Sequence, residues 1–278
     1  MHVESATLSL YLPMALLACS TSVFLVLERL RPGREMPRSR GWYARALLMN
    51  LGQLLVTVAT AKLWLHIFGS AHLLGMPHGT APILQGCSAW FVGTFVFYWW
   101  HRLRHANGWW LVFHQIHHSP ARIELATSFY KHPVEILADS ALSAVILYPL
   151  LGCSLAGAIW YNFLAATGEY FYHANVRTPR WLRFFIQTPE LHSVHHEYGV
   201  HAHNFADIPL WDRLFGTYRD QAEFVTRCGF PDGAEERLIS MLLFIDVYAA
   251  GRSHSPAAAD LATGVDNFSH RGQRRPCG

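Results

Sequence analysis

The 278 residues are 51% hydrophobic and only 15% charged, against about 25% charged in an ordinary soluble domain, so a soluble globular fold is disfavoured from the outset. The net charge of +3 is modest and its arginines cluster beside apolar stretches, which argues against nucleic acid as a partner. Five dispersed cysteines (Cys19, Cys87, Cys153, Cys228, Cys277) form no CxxC, which argues against a disulfide framework or a cysteine-ligated cluster and leaves them as packing residues.

In chain order, the first apolar stretch runs from Leu8 to Leu27, about the length needed to cross a hydrocarbon core of about 30 Å. The arginine-rich segment behind it reads as a stop-transfer flank, and an uncleaved signal-anchor would look the same. Residues 46–68 form a second candidate span, interrupted by Lys62, whose stem lets the ammonium snorkel. Residues 83–100 form a third and run straight into His101. The block from Val134 to Phe171, broken near Gly152, is too long for one crossing and fits a tight hairpin. Arg29 to Arg45 holds six arginines and one glutamate, whereas residues 69–82 hold no charged residue, which places the former in the cytoplasm. By parity, the ends of the third span and of the hairpin then return to the cytoplasmic side.

Three histidine groups lie at those ends: HRLRH (His101, His105), HQIHH (His114, His117, His118) and HSVHH (His192, His195, His196). Imidazole is the commonest protein ligand for a transition metal, and histidines three or four apart share a helix face. Eight candidates exceed the four ligands of a single structural zinc and favour two metals. The step from His105 to His114 would put the second group on roughly the opposite side of one straight helix, and Asn107-Gly108 supplies the break. Thr188-Pro189-Glu190 reads as an N-cap, a first-turn proline and an acid, so HSVHH opens a helix. The scattered His2, His66, His72, His78, His254 and His270 read as ordinary polar or loop residues.

The order HRLRH, HQIHHS, FYKHPVE, FYHANVR, TPELHSVHH and NFADIPLWDRLFGTY, over about Phe91 to Tyr218, resembles the fatty acid hydroxylase and sterol desaturase superfamily of integral-membrane di-iron enzymes. The resemblance implies an all-α polytopic membrane bundle of about four transmembrane helices, with a cytoplasmic helical cap holding two iron ions. It implies O2 as co-substrate and a hydroxylated or desaturated lipid as product, and it makes the eight box histidines ligands. FYHANVR adds His173 as a ninth. His132 is open between ligand and structural residue, and His201 and His203, where the pattern is looser, stand outside the expected set. Glu124, Glu135, Asp207 and Asp212 are candidates to orient ligand imidazoles, and Trp211 to Tyr218 is read as packing that closes the cap.

The organisation expected is an N-terminal transmembrane region over 1–82, a catalytic region over 83–220, and a cap segment with a flexible tail over 221–278. Residues 237–250 are too short to span and read as an interfacial or cap helix. No dinucleotide, flavin or haem motif is present, so the two electrons must come from a separate donor of the ferredoxin or cytochrome b5 type with its reductase. The substrate, a fatty acyl, sterol, carotenoid or ether lipid, would enter from the bilayer. A membrane zinc hydrolase is the first alternative, weakened because His196-Glu197 is followed by Val200 where HExxH needs histidine. A non-enzymatic metal carrier would place its ligands within the spans rather than at their ends.

Overall fold

The computed structural model describes residues 2–69, 72–106, 108–231 and 233–252. The architecture is all-α, and no β-strand occurs among the described residues. Five long helical segments dominate: α1 (His2–Leu30), α2 (Trp42–Phe68), α3 (Pro82–Arg104), α6 (Pro133–Val145) continued by a π-turn at Ile146–Leu150, and α7 (Leu155–His173). Between and after them come the short helices α4 (Trp109–Phe113), α5 (Gln115–His118), α8 (Pro189–His195), α9 (Pro209–Leu214), α10 (Leu238–Leu242) and α11 (Val247–Arg252).

Among the described residues, three segments are long and apolar enough to cross a membrane: Leu10–Leu30, Trp42–Phe68 and Pro133–Leu150. Helices α3 and α7, 23 and 19 residues long, are rich in aromatic and small residues and pack on one another. Their contact is close at Gly86, where an added Cβ would collide with the Trp160 side chain. The helical hairpin expected over 134–171 is present, and Gly152 makes its turn with φ +63°, a conformation that favours glycine.

The two ends of this bundle differ in character. At one end the Leu73 and Leu74 N–H groups donate to the Pro149 and Leu150 carbonyls, joining the uncharged loop before α3 to the hairpin turn. At the other, Gly33 N–H donates to the Asn175 carbonyl and Pro32 pairs with Val176. The arginine-rich segment therefore shares an end with His173, as the parity argument requires.

Residues 237–250 form α10 and most of α11, and Leu238, Met241 and Val247 from this segment are buried in one core with Trp42 and Tyr130. Beyond the last turn of α11 the expected tail, with His254, His270 and Cys277, lies outside the described residues, as does Asn107; Gly108 at that break has φ +86°. The cysteine reading needs correction, since among the described residues Cys19 and Cys87 are exposed while Cys153 and Cys228 are buried. An apolar helix face turned outward holds a thiol as readily as a core does.

Candidate metal centre

Each histidine box reaches the site by a different local device. His101 and His105 leave the last turn of α3, where the i,i+4 spacing stacks them on one face, ring centroids 5.2 Å apart. His114 sits at the junction of α4 and α5, with φ −139° breaking the helix. Thr188 caps α8, accepting from Leu191 N–H, and Pro189 occupies its first turn; HSVHH thus opens a helix as its sequence suggests.

All nine expected histidines gather into two groups. One is His101, His105, His114, His118 and His195; the other is His117, His173, His192 and His196. Within each group every residue offers one nitrogen within 4.8 Å of the others. The dipeptides His117-His118 and His195-His196 are each divided between the groups, because successive helical residues point about 100° apart. The groups abut, with the His118 and His196 rings stacked at 4.2 Å.

The protons on these rings decide what the groups can hold. His101 Nδ1 lies 2.7 Å from the Phe205 carbonyl, His195 Nδ1 2.8 Å from the His203 carbonyl, and His173 Nδ1 2.8 Å from the Glu169 carbonyl. A carbonyl only accepts, so each of these rings donates from Nδ1 and keeps its lone pair on Nε2. His114 Nδ1 meets the Glu135 carboxylate at 2.9 Å in the same sense. Burial pushes His195 down to about 3 and holds His114, His117, His118, His192 and His196 well below the usual imidazole range, so these rings are neutral.

Neutral rings protonated on Nδ1 present Nε2 lone pairs to one another. His101 Nε2 is 2.9 Å from His114 Nε2; in the second group His173 Nε2 is 3.0 Å from His192 Nε2, whose Nδ1 faces the Gln187 amide N–H at 3.5 Å. Facing lone pairs repel unless a cation lies among them, and His105, His118 and His195 each add a buried Nε2 with no hydrogen-bond partner. The donor set, all imidazole, suits zinc, iron, copper or nickel rather than magnesium or calcium.

The supporting residues only partly follow expectation. Glu135 accepts from His114 and is itself paired with Arg104. Asp212 touches no histidine; it accepts from the Phe205 and Ala206 N–H groups and from Thr217, fixing the loop whose Phe205 carbonyl orients His101. Asp207 accepts from Tyr172, whose ring packs on His192 at 4.6 Å, and burial pushes its carboxyl up to about 7. Glu124 is elsewhere, bound to Trp42 and Arg122.

His132, left open above, and His201 and His203, outside the expected set, also find places. His132 caps α6, accepting from Val134 N–H, while its other nitrogen lies 3.3 Å from the Leu242 carbonyl. With both nitrogens engaged it has none for a metal. His201 Nδ1 lies 3.1 Å from His118 Nδ1, and His203 serves through its backbone carbonyl. Sequence reasoning missed a buried ionic chain in which Arg104 meets Asp139, and Lys131 meets Asp139 and Glu169 at 3.6 and 3.1 Å. Glu169 stands four residues before His173, a spacing that could have flagged it.

The fatty acid hydroxylase family model matches residues 86–217, the stretch that contains every histidine of both groups. The match and the relatives that follow support the fatty acid hydroxylase superfamily. Among its relatives, an alkylglycerol monooxygenase from Danio rerio is 25% identical over 189 residues, 64% of this chain and 40% of that protein. The ornithine lipid hydroxylase OlsE from Rhizobium tropici is 31% identical over 134 residues, 46% of this chain and 40% of its own. A very-long-chain aldehyde decarbonylase, GL1-5, from Oryza sativa subsp. indica is 25% identical over 53% of this chain and 25% of its own. The chain thus spans two fifths or less of these relatives' length. No solved structure matches it.

Proposed function

We propose that this chain is a membrane-bound, O2-dependent lipid hydroxylase in which the nine histidines bind two iron ions. The observation that carries the reading is the pair of adjoining, buried imidazole groups, in the first of which the His101 and His114 Nε2 lone pairs face one another. The family match supports an oxidoreductase of the lipid hydroxylase or monooxygenase type. The relatives are named for alkylglycerol, ornithine lipid and very-long-chain aldehyde. Those names favour a substrate with a long alkyl or acyl chain over a sterol or carotenoid, and hydroxylation over desaturation.

Bound iron would supply the one thing that side chains lack, reduction of O2 to an oxidant able to take hydrogen from an unactivated C–H bond. The balance is substrate, O2, two electrons and two protons in, alcohol and water out. The chain's own part is placement. Phe205, His203, Glu169 and Glu135 hold Nδ1 protons and so fix each Nε2 as a donor to metal. Burial excludes water and keeps the imidazoles neutral down to low pH. The electrons come from a separate protein of the ferredoxin or cytochrome b5 type.

Metal analysis of purified protein should give two iron atoms per chain. Membranes supplied with alkyl- and acyl-chain lipids, O2 and a reductase system should yield a product heavier by one oxygen. One metal per chain, or zinc with hydrolytic activity alone, would overturn the reading. We further place the site on the cytoplasmic face. Single cysteines at Arg38, Ala106 and Ala202 should label only from that side and one at Leu74 only from the other; opposite labelling at 106 and 202 would put a membrane between the boxes.

A further inference from the structure

The part of the chain that follows the third histidine box does not stay at the level of the histidines. Thr94 lies seven residues before His101 on α3, about 10 Å down its axis, and its hydroxyl accepts from Trp211 Nε1 of α9 at 2.9 Å. Trp211 also packs on Phe95 at 5.0 Å and on Phe91 at 5.8 Å. Helix α9 therefore lies along the shaft of α3, below the histidines.

What α9 turns outward is apolar. Leu210, Leu214 and Phe215 are 43%, 63% and 40% exposed, and the neighbouring turn adds Trp181, Phe184 and Phe185 at 61%, 51% and 67%. This surface is continuous with α3, where Phe91, Phe95 and Trp99 recur every four residues, all partly exposed. The Phe215 ring meets Trp99 at 4.8 Å and Phe95 at 6.3 Å. A contiguous aromatic and leucine face of this kind marks an interaction surface.

Arginines rim it. The Arg213 guanidinium lies over the rings of Tyr218 and Phe184, at 4.5 and 5.4 Å. Arg177, Arg180 and Arg183 stand nearby, opposed only by Glu223 and Asp220. Aromatic and leucine side chains on one side with a surplus of arginine at the edge are the composition of an interfacial membrane element.

We propose that α9 and the 181–185 turn form a foot sunk into the leaflet beside α3, with the rim arginines at anionic headgroups. This rests on the membrane reading above. The occupant is the bilayer and not a protein, because the face continues the outward stripe of a helix that itself leads into the apolar bundle. The foot would tie the histidine-bearing loops to a fixed depth, so that a chain leaving the bilayer meets the site at a set height.

Spin labels in lipid nanodiscs test this directly. With Cys19, Cys87 and Cys277 replaced, labels at Leu214→Cys and Phe185→Cys are compared with Leu54→Cys on the exposed face of α2 and Glu236→Cys on the polar surface. The readout is collision with O2, which concentrates in hydrocarbon, against collision with a water-soluble nickel chelate. Labels at 214 and 185 should behave like the one at 54, and nickel access at 185 should rise when phosphatidylglycerol is replaced by phosphatidylcholine. Nickel access at both 214 and 185 equal to that at 236, with 54 still shielded, would overturn the foot and leave the membrane reading standing. Shielding from both reagents would overturn it in favour of a protein partner or second copy. Nickel access at 54 would sink the membrane reading itself. Two positions on two elements keep the test decisive if one variant fails to fold.

Discussion

The five-histidine and four-histidine groups use the same ligand chemistry but stand on different supports. In the first, His101 and His195 donate to carbonyls of the 203–205 loop and His114 to Glu135, and that loop is pinned in turn by Asp212. In the second, His173 donates to Glu169, His192 Nδ1 has only a 3.5 Å contact with the Gln187 amide, and the His117 and His196 Nδ1 atoms have no hydrogen-bond partner. Outer partners fix imidazole orientation and basicity. On the proposed two-metal reading the first group would be the stiffer and the second the more adaptable, with four imidazoles to offer against five.

The severest test of that contrast removes a ligand from each group. Alanine at His101, His114 or His195, and equally at His117 or His192, should lower turnover at least about 100-fold, since even an outer partner is worth 10–100-fold in metal affinity or activity. Metal content separates the groups: each variant should lose the iron of its own group first. Near-normal activity in two or more of His101→Ala, His114→Ala and His195→Ala would break the shared site.

A smaller effect is expected one shell out. Asp212→Ala strands two buried N–H groups and a hydroxyl, costing about 1–3 kcal/mol of stability and about 10-fold or more in affinity at the first group alone. Thermal unfolding and iron counts would show it. Equal loss from both groups would mean that the 203–206 loop supports them jointly.

Acid should weaken the metal-free protein. The imidazoles have lower pKa values folded than unfolded, His195 about 3 against an ordinary 6.5. Below the unfolded value the denatured chain binds protons that the folded chain refuses, so stability rises with pH across that window and levels off above it. Unfolding of the apo-protein in detergent at pH 5 and pH 8 should show the lower midpoint at pH 5. The reverse order would mean that the buried rings are charged.

How much of this was legible depended on the kind of atom involved. Side-chain ligands were readable because i,i+3 and i,i+4 spacing fixes a shared face, and the hairpin because Gly152 interrupts an apolar run of fixed length. The division of His117 from His118 follows from helix geometry only once both groups are known to exist. The carbonyls of Phe205 and His203 leave no mark in the sequence, since every residue has one. Glu124 was a reasonable candidate by proximity to the second box, yet Trp42 and Arg122 claim it. Arg104, Lys131, Asp139 and Glu169 could be seen as charges in apolar surroundings, but which pairs with which is set by the packing of α3, α6 and α7.

His132 gives the finest discrimination, because its sequence context invites both readings. It is 5% exposed, precedes a proline-led helix and stands in a segment that runs from the second box toward α6. One nitrogen accepts from Val134 N–H and the other faces the Leu242 carbonyl, an N-cap tied to α10 rather than a ligand. Replacing it with alanine should cost about 1 kcal/mol, the usual value of a cap, and leave two irons per chain. Asparagine retains a side-chain acceptor for the cap and should recover most of the lost stability. A fall to one iron in His132→Ala, or failure of asparagine to restore stability while metal is lost, would instead make it a tenth ligand and shift the boundary between the two groups toward α6.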